Sequence, residues 1–91
     1  MTAAIFIMTA EEFIDLPDNR KLELILTDGR ELLERIYMFY VVKLYAYRGL
    51  FIEIWYQQIS NRIDKVILVD LDEVSHLYES QINISDLFKQ E

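Results

Sequence analysis

The chain has 91 residues, enough for one domain spanning 1–91 and for a core that removes roughly 60 to 65% of the unfolded surface from water. Nine basic against sixteen acidic side chains give a net charge of −7, the wrong sign for a phosphate backbone, so nucleic acid is excluded as an expected partner. With no cysteine there are no disulfides or thiolate metal sites, which suits a reducing, cytoplasmic setting. No apolar run approaches the roughly 20 residues of a membrane span, so no membrane partner is expected.

Residues 1–8 read as a loose arm or a short extra strand, and lack the basic start and long apolar segment of a signal peptide. Thr9-Ala10-Glu11-Glu12 is a capping box, with Met8 and Phe13 placed for a hydrophobic staple, and Pro17 closes this first helix. Asp18 is a suitable cap for a second helix over 19–27, in which Leu22, Ile25 and Leu26 share a face and Gly29 stands where a left-handed terminator belongs. The same residues also fit a hairpin, KLELILT and RELLERI about Asp28-Gly29, because Leu22, Leu24 and Leu26 alternate. Residues 30–36 fit a helix with Leu32, Leu33 and Ile36 on one stripe or an imperfectly alternating strand; a strand that turns near Tyr37 and Met38 is favoured, because the hairpin that follows needs a neighbour.

The stretch 39–56, FYVVKLYAYRGLFIEIWY, predicts two antiparallel strands about Arg48 and Gly49. A three-residue loop, Tyr47-Arg48-Gly49, sets Leu44 against Ile52, Val42 against Ile54 and Tyr40 against Tyr56 on one apolar face. It sets Tyr45 against Phe51, Lys43 against Glu53 and Val41 against Trp55 on the other. A two-residue loop would instead set Lys43 against Ile54 and Glu53 against Leu44. Cross-strand charge pairing therefore favours the three-residue register.

The polar run 57–61 reads as a loop before a fourth strand over 62–69, rich in β-branched residues. Asp70 or Asp72 caps a helix carrying Val74, Leu77 and Tyr78 inward, and Ser85 caps a last turn with Leu87 and Phe88. The expected fold is α+β: a four-stranded antiparallel β-meander with short helices at its N- and C-terminal ends, packed on one face.

The order of landmarks resembles a group of small, uncharacterised bacterial proteins. The matching parts are MTAEEF, a helix closing on Gly29, LYAYRGLFIEIWY, the loop containing Asn61, and HLYESQINISDLF. The resemblance implies two short N-terminal helices, a meander and a C-terminal helix, and favours helix over hairpin for 18–28; it implies no activity. The chain departs from the pattern at 30–38, where Tyr37-Met38-Phe39 is more apolar than a typical turn.

The inventory for catalysis is thin. His76 is the only histidine, and Gly29 and Gly49 are the only glycines, too few for a phosphate-binding loop. Asp70, Asp72, Glu73 and His76 have helical spacing for a hard cation, but no calcium-loop spacing or turn glycine accompanies them, and helix capping with acidic groups in the first turn is the expected reading. Arg48 at the hairpin tip has the charge to meet an anion, but an exposed, solvated arginine is the expected reading. No catalytic, cofactor-binding or metal residue is assigned, and no cofactor. The feature left over is the second hairpin face, Val41, Tyr45, Phe51 and Trp55, an aromatic surface expected to contact a partner. The expected function is a non-enzymatic interaction domain, pairing with itself as a homodimer or with another protein. The alternatives are a ligand-binding domain using the hydroxyls of Tyr40, Tyr56 and Tyr78, and an inhibitor of a basic protein.

Overall fold

The computed structural model describes residues 8–79. Helices α1 (Ala10–Ile14) and α2 (Asp18–Asp28) precede strands β1 (Arg30–Tyr37), β2 (Tyr40–Tyr47), β3 (Leu50–Gln57) and β4 (Ile63–Val69). Helix α3 (Leu71–Val74) and a 3₁₀-helix (Ser75–Tyr78) follow. The strands form one antiparallel sheet in the order β1-β2-β3-β4, which is the α+β meander the sequence predicts. The predicted last turn at Ser85, Leu87 and Phe88 lies outside the described residues, as does most of the N-terminal arm. Among the described residues no helix is long and apolar enough to cross a membrane.

Local chemistry explains the helix ends. The Thr9 hydroxyl accepts from the Glu12 N–H at 3.1 Å, and the Glu12 carboxylate accepts from the Thr9 N–H at 2.9 Å. That backbone bond, followed by the Thr9 hydroxyl, holds the Glu12 carboxyl below its usual range. At α2 the cap is Pro17, whose carbonyl accepts from Arg20 and Lys21, and Asp18 lies inside the first turn instead of capping it. Gly29 is likewise not left-handed: at φ −75°, ψ 160° it is extended. Glycine is required there by proximity, since a Cβ would lie 2.4 Å from the Ile25 carbonyl oxygen, to which the Gly29 N–H bonds at 2.7 Å.

The β2–β3 register differs from the expected one. Tyr47 pairs with Leu50, Tyr45 with Ile52, Lys43 with Ile54, Leu44 with Glu53 and Val42 with Trp55. The loop is therefore two residues, Arg48 and Gly49, both with positive φ (47° and 85°). Such primed turns have a twist that matches the flanking strands, whereas the three-residue alternative needs a bulge. Lys43 and Glu53 consequently point to opposite faces, and each finds its counter-charge on β1. Lys43 meets Glu31 at 3.6 Å and Glu53 meets Arg35 at 3.3 Å.

One face carries Tyr45, Tyr47, Ile52 and Ile54, all buried, and packs against Phe13 of α1 and Ile25 of α2. The opposite face carries Val42, Leu44, Glu53 and Trp55 with Arg35 of β1, and there Tyr78 of the 3₁₀-helix is buried against the strands. Helical segments thus pack on both faces, and the expectation that all share one face gives way because the turn register puts buried groups on each. A methyl at Gly29 or at Gly49 meets a carbonyl or an unfavourable φ, so Gly29→Ala and Gly49→Ala should each lower unfolding free energy by about 1–2 kcal/mol in urea titrations.

Candidate functional site

The four residues expected to form one surface are divided by the sheet. Val41 and Tyr45 lie on the face of α1 and α2, and Tyr45 is buried in that core. Phe51 and Trp55, both half-buried, lie on the opposite face. No common surface includes all four, because the register shift of one residue exchanges the faces of β2 relative to β3.

Around Trp55 the structure assembles a polar and aromatic cluster instead. The Glu53 carboxylate accepts from the Trp55 indole N–H at 3.2 Å, from the Tyr78 hydroxyl at 2.8 Å and from Arg35 Nη2 at 3.3 Å. Arg35 and Glu53 are both buried. The Arg35 guanidinium lies 5.2 Å from the Trp55 ring centre, 5.3 Å from that of Tyr78 and 6.0 Å from that of Tyr37, distances at which a cation is attracted to an aromatic face. Its Nε has no hydrogen-bond partner among the described residues. Burial pushes the Tyr78 phenol well above the ordinary tyrosine range, and the bond to Glu53 adds to it. The Glu53 carboxylate is met by donors from three side chains, and its bond to Tyr78 fastens the 3₁₀-helix to the sheet.

Next to this cluster, at the end of the sheet away from Arg48 and Gly49, the surface changes character. The β1–β2 connection is the dipeptide Met38-Phe39, with Met38 at φ 52°, a left-handed conformation that long side chains rarely adopt. The β3–β4 connection is held by Gln57 and Arg62, bonded N–H to carbonyl at 2.8 Å, and by the Asn61 N–H on the Gln57 carbonyl at 2.7 Å. The Gln58 N–H donates to the Phe39 carbonyl at 2.8 Å and ties the two connections together. Three large apolar side chains project from this tip: Met38 and Phe39 are each 71% exposed and Ile59 is 95% exposed. Ile36 and Tyr37 extend the surface, and a recess of about 250 Å³ opens between Phe39, Tyr40, Gln57, Gln58 and Ile59. Trp55 borders it through ring contacts with Tyr37 and Tyr40, at 5.8 and 5.2 Å.

The remaining candidates are engaged elsewhere. Asp70 caps α3 by accepting from the Asp72 N–H at 2.9 Å, and among the described residues no group of three or more His, Asp or Glu side chains is arranged to hold a metal ion. Arg48 bonds the Tyr47 hydroxyl at 3.1 Å and approaches Asp28 at 3.8 Å. The hydroxyls considered for a ligand do not converge: Tyr40 donates to Asp64 at 2.7 Å, Tyr78 to Glu53, and Tyr56 packs on the α1–α2 side.

Arg35→Met strands the Glu53 carboxylate in a dry site and should cost about 3–5 kcal/mol of stability in urea denaturation. Replacing both charges together, as Arg35→Met with Glu53→Leu, should cost less than Arg35→Met alone. Alkali acts through the buried phenols. Burial, followed by the Tyr56 phenol, pushes Tyr45 up to about 12, above its unfolded value near 10, so the unfolded chain loses its proton first. Stability should hold up to about pH 10, then fall as pH rises through 12, and Tyr45→Phe should flatten that fall when denaturation midpoints are compared with the ultraviolet titration of tyrosinate.

Comparison with protein-family models, curated proteins and solved structures finds no match to this chain. The resemblance to small bacterial proteins therefore rests on the sequence landmarks alone.

Proposed function

We propose that the chain is a non-enzymatic protein-interaction domain whose contact surface is the apolar tip formed by Met38, Phe39 and Ile59, flanked by Ile36, Tyr37 and Tyr40. The observation that carries this reading is a conflict with solvent. A tight turn facing water is served best by Asn, Asp or Gly, whereas Met38-Phe39 places two large apolar side chains there and puts one of them at positive φ. Left-handed geometry at a residue with a long side chain costs about 1–2 kcal/mol, and exposing the tip's third projecting residue, Ile59, adds nothing to folding. Exposed apolar patches of this kind on small domains mark contact sites, and a backbone outlier retained beside one points the same way.

The partner surface thus moves from the middle of the hairpin, where it was expected, to the end of the sheet. Trp55 keeps a place at its margin. Tyr45 has none, being core.

A photo-crosslinking residue in place of Phe39, with a second at exposed Glu23 of α2 as control, tests the reading in the cells from which the protein comes. Discrete protein adducts are expected from position 39 and not from 23. No adduct from 39, or the same adducts from both positions, would remove the basis for the tip as a contact surface.

A further inference from the structure

We infer that the occupant of this tip is a second copy of the same chain, in a twofold, tip-to-tip dimer; the inference rests on the reading of the tip as a contact surface and adds the identity of the partner. The distribution of charge carries it. Two copies that each carry −7 repel unless they meet where the field is weakest. Residues 36–42 and 54–61, which build the tip and its two flanks, contain no charged side chain. The charges that bound these two stretches are Arg35, Lys43, Glu53 and Arg62, with Glu34, Asp64 and Lys65 just beyond them, so the strands next to the tip carry four positive and three negative groups.

Five acidic groups lie toward the other end. Asp70 and Asp72 line a groove with Gly49 and Ala10, Asp28 lies beside Arg48, and Glu11 and Glu12 belong to α1, whose start is tied to the hairpin tip by the Met8 N–H on the Arg48 carbonyl. Strands of eight residues separate the two ends by about 26 Å, several times the roughly 8 Å over which charge is felt at physiological salt. A copy docked at the tip is therefore screened from the acidic end of its neighbour.

Shape agrees with a self-complementary contact. In a twofold interface each projecting group meets a recess of the other copy. The tip supplies both: Met38 projects, and the recess between Phe39, Tyr40, Gln57, Gln58 and Ile59 stands beside it. An unbranched thioether adapts readily to such a recess. Size limits the strength. Five side chains offer on the order of 500 Å² per copy, below the roughly 800 Å² of a standard interface, so the dimer is a weak one in rapid exchange with monomer.

Sedimentation equilibrium of the full chain tests this over about 10 µM to 1 mM, the range in which an interface of this size associates. The wild type should rise toward twice the monomer mass, and added salt should not weaken it. Met38→Asn is the informative variant, because asparagine accepts positive φ: it should melt at or above the wild-type temperature yet remain monomeric throughout. Phe39→Ser should also stay monomeric. A wild type that is monomeric over the whole range overturns the inference, as does Met38→Asn dimerising like the wild type, or flotation of monomeric wild type with phosphatidylcholine vesicles. If the wild type is monomeric and the position-39 crosslink goes to a different protein, self-association fails and the contact surface stands. No crosslink from 39 in addition to a monomer defeats both.

Discussion

The turn at Arg48-Gly49 is the constraint on which the rest of the molecule depends. Two residues at positive φ leave no slack in the pairing of β2 with β3, and a shift of one residue would exchange the faces of every side chain on one strand relative to the other. With this register, Tyr45, Tyr47, Ile52 and Ile54 gather beneath α1 and α2, while Val42, Leu44, Glu53 and Trp55 gather on the far side. Each face of the central hairpin is then core. The buried carboxylate at Glu53 follows from the register too, and with it the need for Arg35 and for the Tyr78 hydroxyl.

Glu53 is a costly group to place in a sheet, because a charge out of water must be met by charge and hydrogen bonds together. The structure meets it with three donors drawn from three elements: Arg35 of β1, Trp55 of β3 and Tyr78 beyond β4. A carboxylate on a central strand that is bonded to an edge strand and to the 3₁₀-helix fixes where that helix meets the sheet.

Much of the order of elements was legible in the sequence. Thr9 and Glu12 announce α1, the β-branched run before Asp70 announces β4, and Asp70 announces α3, because caps and propensities act over a few neighbouring residues. The hairpin register was not legible, and the reason is physical. Pairing Lys43 with Glu53 assumes that a charge finds its partner on the adjacent strand, yet Glu53 is met by Arg35, 18 residues earlier and one strand further across the sheet. No local rule reveals that. Gly29 was recognised as necessary for a left-handed angle it does not adopt; its need for space beside the Ile25 carbonyl appears only once the helix end is folded.

The contact surface was half visible. The apolar character of Tyr37-Met38-Phe39 stands out in the sequence as an unsuitable turn, whereas Ile59 is hidden within a polar loop and joins the tip through the pairing of β2 with β3 and the Gln58 to Phe39 backbone bond. Trp55 drew attention for its size and does border the tip, while Val41 and Tyr45 were assigned to the wrong face with the register. Nuclear Overhauser contacts between α-protons across the central hairpin test the register most directly. Contacts joining Leu44 to Glu53 and Val42 to Trp55 are expected; contacts joining Lys43 to Glu53 and Val41 to Trp55 in their place would overturn this register.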